Sequence, residues 1–175
     1  MCSLRSTPHD FEHPVDAPGQ RRLPPLLRRS WYSLNQAFRR RIAHLDITPD
    51  QFTVLRWLHE DTSDGITQRG LADLMASDPN TVTSILTRME AAGLIERRPH
   101  ETDRRAKRIR LKPKGRKTYE QARQLAIELQ TEVLSVLPPS KREQFLEQLE
   151  TVAAAARDAL DKYEEGTKAR RHEGT

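Results

Sequence analysis

Between Leu71 and Arg98 the spacing of apolar residues changes twice, and few folds accommodate both changes. Leu71, Leu74 and Met75 mark one short amphipathic helix. Asp78 then caps a second helix with Pro79 at its first position, and Val82, Ile85, Leu86 and Met89 supply its buried stripe. Gly93 stands where a helix closes through a left-handed residue, and Leu94 and Ile95 at once restart an apolar segment. The pattern predicts helix, tight turn, helix, then strand.

That strand, Leu94 to Arg98, leads through a charged turn from Pro99 to Arg105 into a second run, Ala106 to Lys112. There Ile109 and Leu111 alternate with Lys and Arg as in a half-buried strand. Pro113 opens another helix. A disordered basic tail has no need of this alternation, so the segment predicts a hairpin that carries charge. From Arg88 to Lys117 there are twelve Lys or Arg against four Asp or Glu, whereas from Tyr119 to Tyr163 there are five against eight. The chain's net charge of +5 conceals this polarity. A local excess of that size is the footprint of a surface that meets phosphates or an anionic membrane.

The flanks are read from periodicity. Residues 1–20 contain Pro8, Pro14 and Pro18 and no sustained repeat, which predicts a disordered N-terminal arm. After Pro24 and Pro25, the residues Leu27, Trp31, Leu34, Phe38, Ile42 and Leu45 recur at helical steps. Thr48, Pro49 and Gln51 form a capping box ahead of a helix that buries Phe52, Leu55 and Leu58. Ile66 is expected to add a short strand before Thr67 caps the next helix. Tyr119, Ala122, Ala126, Leu129, Val133 and Val136 continue a helix from Pro113. Ser140 with Glu143 predicts a second capping box before Phe145, Leu149, Val152, Ala156 and Leu160. Residues 164–175 are expected to be a disordered tail. The outer helices each carry one apolar stripe, which a second subunit would cover, and most stripe residues are read as packing.

Once Val82, Ile85, Leu86 and Met89 are buried, Asn80, Thr81, Thr83, Ser84, Thr87 and Arg88 remain on the other side of their helix. Short hydroxyls and amides with one Arg suit hydrogen bonding to base edges or phosphates. Alone, they are equally an ordinary solvated face. The basic hairpin immediately after the helix favours nucleic acid, because helix-turn-helix followed by a hairpin is a winged helix.

With "TPDQFTVLRWL", "LADLMASDPNTVTSILTRMEAAGLIERR" and "DRRAKRIRLKPKGR" in place, the run from Thr48 to Gly115 resembles the MarR (multiple antibiotic resistance regulator) family of bacterial transcription factors. The resemblance implies a mainly α protein with a winged helix-turn-helix DNA-binding lobe over 48–115 and a small β-hairpin wing. Long N- and C-terminal helices, 21–46 and 116–163, would form a dimerisation domain within a single unit over 21–163. It implies a homodimer on a palindromic operator in double-stranded DNA, with half-sites about one helical turn apart. By position, Asn80, Thr81, Thr83, Ser84, Thr87 and Arg88 would face the major groove, and Asp103, Arg104, Arg105 and Lys107 would form the wing contact. Asp103 would orient Arg105 in the minor groove, with Arg104 the alternative. Two residues depart from the family's habit: Ser84 where many relatives have Arg, and Lys112 where a Thr commonly caps the next helix.

The resemblance also implies a small, aromatic or anionic effector between the dimer helices and the DNA-binding lobe, lined here by Trp31, Phe38, His44, Phe52, Arg56 and His59. Cys2 is the one cysteine and lies in the expected arm, which disfavours peroxide sensing. Rival readings are non-specific nucleic-acid binding and a protein-interaction adaptor built on the same dimer. No glycine-rich phosphate loop, nucleophile elbow or Cys pair accompanies the six His, so no enzyme, cofactor or metal is expected. No stretch approaches the length of an apolar membrane span, and the expected location is the cytoplasm.

Overall fold

The computed structural model describes residues 19, 21–63, 65–99 and 107–173, leaving aside the side chains of 99, 107 and 164–173. Helix α1 (Leu23–Ile42) is followed by a 3-10 turn (Ala43–Leu45), α2 (Pro49–Glu60), the two-residue strand β1 (Ile66–Thr67), α3 (Gln68–Leu74) and α4 (Pro79–Ala91). Strands β2 (Ile95–Pro99) and β3 (Lys107–Leu111) precede α5 (Pro113–Leu134) and α6 (Pro139–Glu173). Packing divides the chain into Met1–Ile127 and Glu128–Thr175, with the boundary inside α5. This is the expected mainly helical winged helix-turn-helix, and each strand begins or ends within one residue of its sequence limit.

Local chemistry sets the helix starts. Thr48 Oγ1 accepts from Gln51 N–H at 3.2 Å while Thr48 N–H donates to Gln51 Oε1 at 2.9 Å, which is the predicted capping box. Thr67 Oγ1 accepts from Gly70 N–H at 3.1 Å, and Asp78 Oδ1 accepts from the N–H groups of Asn80 and Thr81 at 2.8 and 3.1 Å. Gly93 closes α4 with φ +72°, so Leu94 N–H reaches back to Met89 O at 3.0 Å and the chain turns straight into β2.

The sheet has order β1-β3-β2 and both pairings are antiparallel. Ile66 lies opposite Ile109, Ile95 opposite Leu111 and Arg97 opposite Ile109. One face of the hairpin therefore carries Ile95, Ile109 and Leu111, all buried, and these join Val82, Ile85, Leu86 and Met89 of α4 with Leu55 of α2 and Leu71 of α3. Each such aliphatic side chain contributes about 1.5–3 kcal/mol on removal from water. That core fixes α4 and the hairpin to one frame.

Three expectations are corrected. Leu74 is 42% exposed and Met75 falls beyond the helix, while Ala72 is buried beside Leu71. The left-handed turn at Ala76 (φ +46°) ends α3 after two turns, room for one buried edge only. Ser140 is not a cap, because α6 begins at Pro139, whose fixed φ and missing N–H suit a first helical position, and Ser140 lies inside the first turn. The helix then runs to Glu173, past the expected start of a tail at Glu164, through a segment rich in Glu, Lys, Arg and Ala. Residues 1–18 and 20 of the expected arm lie outside the described residues.

Candidate nucleic-acid interface

Because Asp78 caps α4 and its apolar stripe faces inward, Asn80, Thr81, Ser84, Thr87 and Arg88 are exposed along its outer side and Thr83 is half-buried. Their hydrogen bonds separate them. Thr83 Oγ1 donates to Pro79 O at 2.7 Å and accepts from Gln68 Nε2 of α3 at 2.8 Å. Thr87 Oγ1 donates to Thr83 O at 2.9 Å and accepts from Arg97 Nη2 of β2 at 3.2 Å. Thr83 therefore ties the two helices of the turn together, and Thr87 ties helix to wing. Arg88 Nε donates to Ser84 O at 3.2 Å, folding its side chain along the helix surface. At the far end Lys114 Nζ donates to Ala92 O at 2.9 Å, a cation where the helix dipole is negative.

Strand parity divides the basic hairpin. Arg97 shares the inner side with Ile95, whereas Arg98 lies directly opposite Arg108 and Glu96 opposite Arg110 on the outer side. Arg98 Nε pairs with Glu96 Oε1 at 2.8 Å. Arg98 facing Arg108 sets like charges across a strand pair, which is unfavourable in isolation and concentrates positive potential on the outer face. Arg108 is also a brace: its Nη1 donates to the carbonyls of Ser63 and Gly65. The Asp61 carboxylate holds the same loop, accepting from Ser63 N–H, Ser63 Oγ and Gly65 N–H. Of the predicted wing contacts, Asp103, Arg104 and Arg105 lie outside the described residues. Lys107 begins β3, its backbone opposite Pro99.

The six residues expected to line an effector site divide into two groups. Phe38 meets Phe52 edge-on at 4.9 Å between ring centroids, and the Arg56 guanidinium sits 5.0 Å above the Phe52 ring. His59 packs 4.4 Å from Tyr119, its Nε2 is 3.6 Å from Glu120 Oε1, and Tyr119 in turn stacks on Phe52 at 5.8 Å. Trp31 and His44 are exposed on α1 and the 3-10 turn. Tyr119, Gln68, Arg97 and Lys114 complete these arrangements, and the sequence alone does not mark them as site residues. The spacing of Tyr119 predicts only stripe packing, and Gln68 meets its partner fifteen residues away, with no local signal. Among the described residues no group of His, Cys, Asp or Glu is arranged to hold a metal ion. No helix among them is long and apolar enough to cross a membrane.

The family model of the MarR family matches residues 47–107, the stretch that contains α2, the helix-turn-helix and the first strand of the wing. Over that stretch the chain is of MarR-family type. The HTH-type transcriptional regulator BilQ of Clostridium symbiosum is 36% identical over 81 residues, which is 46% of this chain and 56% of BilQ. The chain spans about half the length of the curated regulators it matches at that level of identity. The Staphylococcus aureus MepR–DNA complex superposes with a TM-score of 0.70 at 27% identity, covering 75% of this chain and 96% of MepR. A cysteine-to-serine variant of Escherichia coli MarR, solved with operator DNA, gives 0.67 at 26% identity over 73% and 91% of the two chains. The MarR-type relatives are transcriptional regulators, not enzymes.

Proposed function

We propose that this MarR-family protein is a sequence-specific DNA-binding transcription regulator of the cytoplasm, a repressor that binds a palindromic operator as a homodimer. The observation that carries the reading is the common frame beneath α4 and the hairpin. One core holds a polar helix face and a basic wing side by side, the arrangement that lets a helix read the major groove while a wing reaches the neighbouring minor groove. The MepR and MarR structures solved with DNA support it. In this reading Asn80, Thr81, Ser84 and Arg88 make the open contacts, and Thr83 and Thr87 act largely through the bonds that fix the helix. Asp103 with Arg105 or Arg104, and Lys107, supply the wing.

Exposed apolar side chains support dimerisation. Leu27 is 41% and Trp31 64% exposed on α1, and Phe145, Leu149 and Leu160 are exposed on α6, side chains that a second subunit would cover. The lobe over 48–115 then reads DNA, and helices 21–46 and 116–163 hold the dimer. Release by a small aromatic or anionic effector is assigned to the Phe38, Phe52, Arg56 and His59 cluster with Tyr119, where a cation already sits on an aromatic face. Trp31 and His44 would join it only through rearrangement on pairing.

Selection from random duplex DNA tests the reading. A palindrome should emerge, bound more tightly than random duplex by about three orders of magnitude or more at the same salt. Equal affinity for selected and random duplexes refutes sequence-specific regulation and leaves charge-driven binding.

A further inference from the structure

Arg97 and Arg98 are neighbours of identical chemistry, and the fold gives them opposite surroundings. Arg98 faces outward with its side chain 57% exposed, whereas the Arg97 side chain is 19% exposed, on the inner side of the hairpin beside Ile95. Arg97 Nη2 donates to Thr87 Oγ1 at 3.2 Å, and its enclosed Nε lies 3.3 Å from Glu90 Oε2, a contact of charge rather than an aligned hydrogen bond. Thr87 and Glu90 are three residues apart and so share one face of α4. Thr87 Oγ1 donates to Thr83 O, and Thr83 Oγ1 to Pro79 O, so each hydroxyl is held against the helix backbone one turn back.

We infer that Arg97 is a positioning residue for DNA recognition, anchored by Glu90 and Thr87. It makes β2 and the reading helix a single body and is held away from the phosphates. The inference rests on the regulator reading above. A freely placed Arg at a protein–DNA boundary adds affinity without discrimination, because phosphate contacts are the same for every sequence. Tying the charge to Glu90 subtracts that sequence-blind term, while the bond to Thr87 transmits the wing's position to the helix. Thr87, its hydroxyl proton already engaged with Thr83 O, is left to meet a base mainly through its methyl group, which suits thymine.

The test compares the selected site with random duplex across a salt series for wild type, Arg97→Gln, Arg97→Lys and Glu90→Gln, with unfolding curves for each. Arg97→Gln should bind the selected site about tenfold more weakly, the scale of one network contact. The slope of log affinity against log salt should stay unchanged, since no phosphate contact is lost. Arg97→Lys keeps the charge but lacks the fork that reaches both partners, and should lose preference for the selected site in the same way. Glu90→Gln should release the guanidinium, steepen the slope by about 0.9 and narrow the gap between the duplexes by raising the random one. If Arg97→Gln flattens the slope by about 0.9 and weakens both duplexes equally, Arg97 is a phosphate contact and the inference falls. Should the Arg97 variants fail to fold, Glu90→Gln decides, because the Glu90 side chain is 43% exposed. An unchanged slope and preference there overturns the proposal. A wild type that does not distinguish the duplexes defeats the regulator reading itself, and this inference with it.

Discussion

Gly115 is the third residue of α5, a place where alanine would ordinarily be welcome. A Cβ added there would lie 2.1 Å from Leu94 O and 3.0 Å from Leu94 C, both backbone atoms at the junction of α4 and β2. Raising the first distance to even 3.0 Å requires the start of α5 to withdraw by about 0.9 Å in a core that has little compliance. The same carbonyl accepts Lys112 N–H at 3.0 Å, so withdrawal lengthens that bond beyond useful range. Overpacking of this kind costs about 1–3 kcal/mol and the lost hydrogen bond about 1 kcal/mol. The better helix propensity of alanine returns about 1 kcal/mol. Gly115→Ala should therefore destabilise by about 2 kcal/mol. In urea, with a slope of about 2 kcal/mol per molar, the midpoint should fall by about 1 M. The assay is equilibrium unfolding followed by circular dichroism at fixed protein concentration, since the proposed dimer would make the midpoint concentration-dependent. A variant as stable as wild type, or more so, would show that propensity governs the position and that the approach to Leu94 is not a constraint.

Asp78→Ala leaves the N–H groups of Asn80 and Thr81 without the shared acceptor at 2.8 and 3.1 Å, and should cost about 1 kcal/mol of unfolding free energy. Asp78→Asn should recover most of it, and equal losses for the two would point to charge rather than capping. Asp61 bears on acid stability. Light burial works against its carboxylate, but hydrogen bonds from Ser63 and Gly65 and the charge of Arg108 together hold its pKa below the ordinary 3.8. A carboxyl depressed on folding adds stability that is present above its unfolded pKa and lost as pH falls through the folded one. Asp61→Asn should thus be less stable than wild type at pH 7, with the difference shrinking as pH drops below 3.8. A difference that stayed constant with pH would assign the effect to geometry alone.

What the sequence disclosed was whatever is encoded within one turn of chain. Thr48 with Gln51, Thr67, Asp78 with Pro79, and Gly93 each announce a boundary through their own backbone preferences, and the structure puts the helix ends there. Ser140 misled because Pro139 competes for the same helix start with the stronger preference. The stripe of α1 illustrates a different limit. Phe38 and Ile42 are buried within the chain whereas Leu27, Trp31 and Leu34 on the same stripe are open, yet their spacing is one continuous pattern. Periodicity reports that a face will be covered, not by which molecule. The constraint on Gly115 depends on Leu94, twenty-one residues away in sequence and brought close only by the fold, so no local pattern announces it.

The reading face of α4 carries the lesson furthest. In sequence, Thr81, Thr83, Ser84 and Thr87 are interchangeable small hydroxyls on one side of a helix. In the fold, Thr83 answers Gln68 and Thr87 answers Arg97, so in the proposed reading two of the four would set the angle at which the others meet DNA. A substitution at Thr83 or Thr87 should consequently disturb every base position at once, whereas one at Ser84 should alter preference at a single step. The wing obeys the same logic through parity. Ile95, Arg97 and Ile109 share the inner side, so alternation alone could have marked Arg97 as the inward arginine and Arg98 as the outward one. In a strand that counts by twos, the number of basic residues matters less than which of them fall on even steps from the core.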